Sequence, residues 1–216
     1  TGRCWERASR LFQEMPAPDV ITFNAMASVW SAAGRWEQAS FQLTEMRRRA
    51  LQPSLVSYNA AVVAAAYPAG GEEGLGGRQP WQRALQLRED MQHGGLPSDV
   101  ITFGALATAC NRGLQWAQAV EQLLEKMPRA SLTPNLVSLN TALGACEAGQ
   151  RWDLALGMLL RLWRGDHGFQ PDVCSYNAAL AACGAAASGG GGSWRWAVQL
   201  LRGARLGAWG PEVRPD

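Results

Sequence analysis

The sequence has little charge and no long apolar run, and each deficit excludes a class of protein. Charged residues make up 18% of the 216 residues, and apolar stretches such as 60–67 are far shorter than the ~18 residues that a membrane span needs. The 24 glycines and 11 prolines are too few for a collagen-like or low-complexity chain. The formal charge is only +2, so we expect no membrane association, and a polyanionic partner would be held by local contacts.

Residues that support metal binding or catalysis are also scarce. The five cysteines are odd in number and form no C-x-x-C pair, and the only two histidines, His93 and His167, each precede a glycine. These spacings argue against a disulfide framework or a zinc site, so we expect buried free thiols, no metal and no cofactor. The acidic residues form no constellation with a nucleophile and a base, and we therefore expect no enzymatic activity.

The chain contains sequence segments that repeat at regular intervals. Five short segments share an aliphatic residue, a hydroxyl and, in four of them, an asparagine: 20–24, 55–59, 100–104, 136–140 and 173–177. They start 35, 45, 36 and 37 residues apart, which indicates a period of about 35 residues. A period of this length is typical of a repeat protein whose units stack on their neighbours.

A second motif, a tryptophan followed three residues later by alanine, runs in phase with the first. It occurs at Trp5/Ala8, Trp36/Ala39, Trp81/Ala84, Trp116/Ala119, Trp152/Ala155 and Trp194/Ala197. Apolar residues continue on the same helical face, as at Leu43 and Met46, so each tryptophan is predicted to open an amphipathic second helix of its unit.

The first helix of each unit is predicted to start at the hydroxyl, where a side-chain oxygen can cap the opening turn. The capping residues would be Thr22, Ser57, Thr102, Ser138 and Ser175. These helices lack Lys, Arg, Asp and Glu over about three turns, so they must be covered on most sides. Gly34, Gly113 and Gly149 are predicted to turn the chain back, and each unit is therefore an antiparallel helical hairpin.

The motifs divide the chain into units that together form one domain. We expect a partial repeat with a second helix only at 1–19, followed by repeats at 20–54, 55–99, 100–135, 136–172 and 173–216. The second and fifth repeats carry glycine-rich insertions, at 70–77 and 188–193, between their two helices. A phosphate-binding loop is not expected there, because no strand precedes either insertion and no lysine follows it. Because the chain starts within a unit and has no polar capping unit, we expect it to be a fragment of a longer array.

The motifs V-x-T/S-Y/F-N-A, A-G-R-W-x-x-A, M and P-D resemble the pentatricopeptide repeat over the whole chain, most closely at 20–54. The resemblance implies an all-α, right-handed α-solenoid that binds single-stranded RNA at about one base per repeat. It also implies a role in RNA processing, stability, translation or editing in a mitochondrion or plastid, with other RNA-processing proteins as further partners. The W-x-x-L-G-x-x-Y pattern of the tetratricopeptide repeat is absent.

The resemblance also implies which residues read the bases. The second residue of each repeat would sandwich a base: Ile21, Val56, Ile101, Val137 and Cys174. The fifth and last residues would recognise it: Asn24 with Ser54, Asn59 with Asp99, Gly104 with Asn135, Asn140 with Asp172, and Asn177 with Asp216. Asn with Asp resembles the uracil-preferring pair, and Asn with Ser a pyrimidine pair leaning to cytosine. Adenine is expected for the atypical pair of Gly104 and Asn135, which gives the target 5′-(C/U)UAUU-3′.

Alternative interpretations remain open for each feature. The asparagines and the last residues could simply satisfy helix and turn amides, and a protein-binding scaffold would fit the near-neutral charge better than an RNA-binding protein does. The tryptophans are expected to pack between helices rather than to stack on bases. The cluster of Arg47, Arg48 and Arg49 is expected to be a solvated helix end. Among basic residues that many family members carry late in the first helix, only Arg112 is retained.

Overall fold

The computed structural model describes residues 4–68, 79–164, 170–186 and Val198, and the secondary structure of this part of the chain is helical throughout. The helices are α1 (Cys4–Glu14), α2 (Val20–Ala32), α3 (Trp36–Arg48), α4 (Leu55–Ala66), α5 (Pro80–His93), α6 (Val100–Arg112), α7 (Trp116–Glu121), α8 (Met127–Arg129), α9 (Leu136–Ala148), α10 (Trp152–Arg164) and α11 (Val173–Ala186). A π-helical turn, Gln122–Lys126, joins α7 to α8. None of the described helices is long and apolar enough to span a bilayer.

The chain divides into two compact units, Thr1–Thr133 and Pro134–Asp216. In the first unit the first helices α2, α4 and α6, whose only charged residue is Arg112 at the end of α6, pack side by side, and α3 and α5 pack against them. Small side chains allow this close approach, since Ala61, Ala64 and Ala66 in α4 are fully buried. In the second unit α9 packs beside α11, and α10 contacts both. Antiparallel hairpins with buried first helices are therefore present in both units.

The tryptophan motif marks the second helices as predicted. Trp36, Trp116 and Trp152 are the first residues of α3, α7 and α10, while Trp81 follows Pro80 at the start of α5. The alanine three residues later is only partly buried at Ala8 and is buried in the other four of the five described copies: Ala39, Ala84, Ala119 and Ala155. The copy at Trp194 and Ala197 lies outside the described residues. The tryptophan and alanine thus serve helix packing.

The three predicted glycines do lie where the first helices end and the chain turns back, but only one of them is the left-handed residue of its turn. Gly34 has a left-handed backbone with φ of 63°, but the left-handed residues of the later turns are Leu114 and Gln150, with φ of 56° and 55°. Gly113 and Gly149 are C-caps with negative φ. In the third repeat the amides of Leu114 and Gln115 donate to the carbonyls of Asn111 and Cys110, as in a Schellman turn. The hydrogen bonds of the turn, rather than a glycine, set the left-handed position.

Gly113 is needed for a different reason, which is the close approach of a tryptophan. A Cβ atom at this position would lie 2.2 Å from Cδ1 and 2.8 Å from Cγ of Trp81. Trp81 opens the second helix of the preceding repeat, so Gly113 allows α6 to end directly against that helix. The glycine is therefore a packing requirement between successive repeats.

The extra residue of the third repeat is absorbed inside its second helix. The tryptophan and the buried methionine are ten residues apart at Trp36/Met46 but eleven apart at Trp116/Met127. The intervening π turn adds one residue to a helical turn, and the amide of Met127 donates to the carbonyl of Gln122. Pro128 follows at once and has no amide for the carbonyl of Leu124, which removes an α-helical bond at this point. The π turn keeps Met127 in the core despite the insertion.

Candidate functional site

The N-terminal ends of the first helices carry the candidate site, and their caps differ from the prediction. The caps are Asp19, Ser54, Asp99 and Asn135, one residue before each helix, whereas the hydroxyl residues predicted as caps are the third helical residues. In α6 the amide of Thr102 donates to Oδ1 of Asp99 at 2.7 Å. Asp172 accepts from the amide of Ser175 at 2.8 Å in the same way. The last residue of each of these repeats therefore caps the next first helix. This agrees with the alternative interpretation in which the last residues satisfy helix amides.

The same capping residues also contact the asparagine of the preceding helix. Asn59 Nδ2 donates to Oδ2 of Asp99 at 3.0 Å, although the two residues are 40 positions apart. Asn140 Nδ2 lies 3.2 Å from both carboxylate oxygens of Asp172. In the first repeat Ser54 Oγ donates to Oδ1 of Asn24 at 3.4 Å. The structure thus brings together three of the five predicted pairs, and their capping role does not prevent the contact.

A third side chain, which sequence reasoning assigned only to helix capping, completes each pair. Thr102 Oγ1 donates to Oδ1 of Asn59 at 2.6 Å, and Ser175 Oγ donates to Oδ1 of Asn140 at 2.6 Å. Ser57 Oγ donates to Oδ1 of Asn24. The signal that could have identified this role is the recurrence of the hydroxyl in every repeat, three residues after another side chain that can cap.

The predicted sandwiching residues lie on the surface. Ile21, Val56, Ile101 and Val137 are between 55% and 76% exposed, and Cys174 is exposed as well. The exposure of Cys174 contradicts the prediction that all the cysteines are buried. Cys110, Cys146 and Cys183 are buried, and burial raises the thiol pKa of each, to about 11 for Cys110 and Cys146. These exposed aliphatic side chains leave apolar surface that a flat ligand could cover.

One cleft of the first unit holds a complete set of these residues. It has a volume of about 650 Å³, and Val56, Asn59, Asp99 and Ile101 all line it. Two aliphatic side chains therefore open onto the same space as a donor and an acceptor group. A planar heterocycle with a polar edge matches this combination of groups.

The cleft also reaches an aromatic side chain that the sequence did not single out. Tyr67, at the end of α4, lines the cleft and is 54% exposed. The guanidinium carbon of Arg112 lies 5.6 Å from the centre of its ring, within the range of a cation–π contact. None of the described carboxylates forms an ion pair with Arg112. This guanidinium is available to an anionic group beside the cleft.

The other two predicted pairs do not lie within the described residues of one unit. Gly104 lies in the first unit, and a Cβ there would meet nothing within 4 Å. Its predicted partner Asn135 lies in the second unit, where it caps α9 and accepts from Ser138 Oγ at 2.8 Å. Asn177 is exposed on α11, and Asp216 lies outside the described residues.

Charge distinguishes the pair of Asn140 and Asp172 from the arginine cluster. The amide of Ser175 holds the pKa of Asp172 below its usual range, so its carboxylate is ionised at neutral pH. Arg48 and Arg49 instead form ion pairs with Glu45 at 2.8 Å, and these hydrogen bonds lower the pKa of Glu45 to about 2. Arg47 donates to the hydroxyl of Tyr58. The three arginines are therefore engaged within the protein.

Comparison with known families decides what these hairpins are. The family model described as the pentatricopeptide repeat domain matches residues 10–65 and 86–148, which together exceed half of the chain. The chain belongs to the pentatricopeptide repeat family. The predicted family membership is thereby confirmed.

Two curated pentatricopeptide repeat proteins from plants show how much of a member this chain represents. It is 34% identical to chloroplastic pentatricopeptide repeat-containing protein 10 of Zea mays over 107 residues, and this aligned region covers 47% of this chain. It is 36% identical over 66 residues to a pentatricopeptide repeat-containing protein of Arabidopsis thaliana, which covers 31% of this chain. Each match spans 12% of the relative's length.

Solved structures of family members share the fold. The pentatricopeptide repeat domain of Arabidopsis thaliana protein-only RNase P 1, solved with tRNA, matches with a TM-score of 0.67 at 16% identity, covering 89% of this chain and 93% of that one. Maize PPR10 bound to an 18-nt psaJ RNA element matches with a TM-score of 0.51 at 20% identity, covering 95% and 34%. The predicted fold class, an all-α solenoid of helical-hairpin repeats, is confirmed.

Proposed function

We propose that this chain is a sequence-selective module for single-stranded RNA that reads about one base per repeat and has no chemistry of its own. The observation that carries the proposal is the cleft in which Asn59 and Asp99 are hydrogen-bonded to each other and lie among the exposed side chains of Val56 and Ile101. The family relationship supports it, because two of its solved members were captured with RNA.

The hydrogen-bonding groups of the Asn59 and Asp99 pair match uracil. One N–H of Asn59 Nδ2 is donated to Asp99, and its second N–H has no partner among the described residues. The pair therefore offers a donor beside a carboxylate acceptor, and uracil presents a carbonyl oxygen beside its N3–H. Cytosine presents an amine beside an acceptor nitrogen, which is the reverse order. The pair of Asn140 and Asp172 has the same chemistry.

The remaining bases follow from the other pairs. Asn24 and Ser54 lack a carboxylate, so a base with acceptor groups is favoured, which is consistent with a pyrimidine leaning to cytosine. The assignments for Gly104 with Asn135 and for Asn177 with Asp216 are carried over from the family. With repeats at 20–54, 55–99, 100–135, 136–172 and 173–216, we propose the target 5′-(C/U)UAUU-3′.

The cellular setting is proposed from the relatives. The maize relative is named as chloroplastic, which supports action on transcripts of a plastid or mitochondrion. Processing, stability, translation or editing of those transcripts would involve other RNA-processing proteins as partners. A scaffold that binds a peptide in the same cleft is the competing function, and titration with RNA distinguishes the two functions.

A titration with two RNAs tests the proposal. Fluorescence anisotropy would compare an RNA containing CUAUU with a strand of the same composition in another order, at low and moderate salt. We expect tighter binding to CUAUU by about tenfold or more, because each well-matched base edge contributes about 1–3 kcal/mol of discrimination. Equal affinities would remove base reading, and absence of binding to both strands would favour the peptide scaffold.

Arg112 is expected to contact a phosphate rather than a base, since its guanidinium is exposed beside the cleft. Arg112→Gln should weaken binding equally for matched and scrambled RNA. It should also reduce the slope of log K against log salt by about 0.7, the contribution of one phosphate in a single strand. Arg48→Gln is the matched control, because Arg48 is paired with Glu45, and it should leave the slope unchanged. An unchanged slope in Arg112→Gln would contradict the phosphate contact.

A further inference from the structure

We propose that the hydroxyl at the third position of a first helix is a positioning residue, which fixes the amide orientation of the asparagine in the preceding repeat and so sets which base is read. The residues are Thr102 and Ser175, which act on Asn59 and Asn140 in the two pairs that end in aspartate. Ser57 makes the same contact with Asn24, where Ser54 stands in place of the aspartate. This inference rests on the proposed function and adds a determinant of specificity beyond the two residues of each pair.

The distances show where each hydroxyl directs its single hydrogen. Thr102 Oγ1 lies 2.6 Å from Oδ1 of Asn59 and 2.8 Å from Oδ1 of Asp99, and that Asp99 oxygen already accepts from the amide of Thr102. Ser175 Oγ lies 2.6 Å from Oδ1 of Asn140 and 2.9 Å from Oδ1 of Asp172. In both repeats the asparagine oxygen is the nearer acceptor and the one without a backbone donor.

Two hydroxyls at the same helical position provide an internal contrast. Thr22 Oγ1 donates to Oδ1 of its own cap Asp19 at 2.6 Å, and Ser138 Oγ donates to Oδ1 of Asn135 at 2.8 Å. The repeat before Ser138 has Gly104 at its fifth position, which has no side chain to accept a hydrogen bond. Where the asparagine contact is made, the hydroxyl has a second role beside the cap.

The chemical consequence concerns the choice between uracil and cytosine. With Oδ1 held by the hydroxyl, Asn59 can offer only N–H groups toward a base, which suits the carbonyl oxygen of uracil. Without that donor the amide can turn over and present Oδ1 to the amine of cytosine. In a pair that ends in aspartate, the hydroxyl therefore disfavours cytosine by fixing the orientation of the amide, while the carboxylate of Asp99 accepts from the other side of the amide.

Thr102→Val tests this role, because valine has the shape of threonine without its hydroxyl. RNAs containing CUAUU and CCAUU would be compared in binding to the full chain, with thermal melting to establish that each variant is folded. We expect Thr102→Val to lower the preference for uracil over cytosine at the second base about three- to tenfold, the range for one hydrogen bond. Thr102→Ser should restore it. Thr22→Val, which removes a hydroxyl that contacts only its cap, should leave the preference unchanged.

A second site makes the test independent of how Thr102→Val folds. Ser175→Ala should reduce the uracil preference at the fourth base, whereas Ser138→Ala should not. Full discrimination in both Thr102→Val and Ser175→Ala would overturn the positioning role and leave the proposed function standing. If the unaltered chain does not distinguish the two RNAs, the proposed function fails, and this inference fails with it.

Discussion

Gly113→Ala is expected to lower the free energy of unfolding by about 2 to 3 kcal/mol, as overpacking in a tight contact does. The new methyl group would lie 2.2 Å from Cδ1 of Trp81 and 2.8 Å from Cγ. These atoms are at the base of the indole, where a small rotation cannot remove the overlap. The clash lies between two successive repeats, so the loss should appear in urea unfolding followed by circular dichroism.

Two neighbouring substitutions provide controls of opposite sign. Gly104→Ala meets nothing within 4 Å inside α6, and it should stabilise the chain by about 0.5 to 1 kcal/mol through helix propensity. Leu114→Gly should also stabilise it, by about 0.5 to 1 kcal/mol, because an exposed leucine then no longer occupies a left-handed conformation. Stability equal to that of the unaltered chain in Gly113→Ala would mean that Trp81 does not pack against this turn.

Asn59→Thr is expected to abolish the uracil preference at the second base of the target, with a loss of about tenfold or more in discrimination. The substitution removes the N–H donor that faces the cleft and leaves the Asp99 carboxylate as a helix cap. By the pattern of the family, threonine with aspartate moves the preference toward guanine. Competition among four RNAs that differ only at the second base would measure the change.

The fourth base serves as the internal control for that measurement. It is assigned to Asn140 and Asp172 in the other compact unit, so its uracil preference should persist in Asn59→Thr. If the fourth base loses its preference instead of the second, the register between repeats and bases is wrong. If neither base responds and the variant melts like the unaltered chain, Asn59 does not read a base.

The hairpin architecture could be predicted from the sequence because its signals are redundant. The uncharged first helices, the tryptophan and alanine pairs and the 35-residue period all point to the same fold. The pairing of Asn59 with Asp99 came from the family resemblance, because residues 40 positions apart carry no local signal of contact. Tyr67 and its contact with Arg112 were missed for the same reason.

The sequence did not predict local details correctly where two residues could fill one role. Asp99 and Thr102 can each cap a helix, and only the backbone geometry shows that Asp99 is the cap and Thr102 the third helical residue. Gly113 stands next to the left-handed position of its turn, which Leu114 occupies because Gly113 has to face Trp81. The one-residue insertion of the third repeat could equally have lengthened a loop, and Pro128 favours the π turn instead.

The most direct test of the central claim is the base preference of the unaltered chain at the second and fourth positions of the target. Two sets of four RNAs, each varied at one of these positions, would be measured in competition against CUAUU. The RNA with uracil is expected to bind best in both sets. The same donor and acceptor groups are presented at the two positions, by Asn59 with Asp99 and by Asn140 with Asp172. Equal affinity for all four bases at both positions would contradict the account.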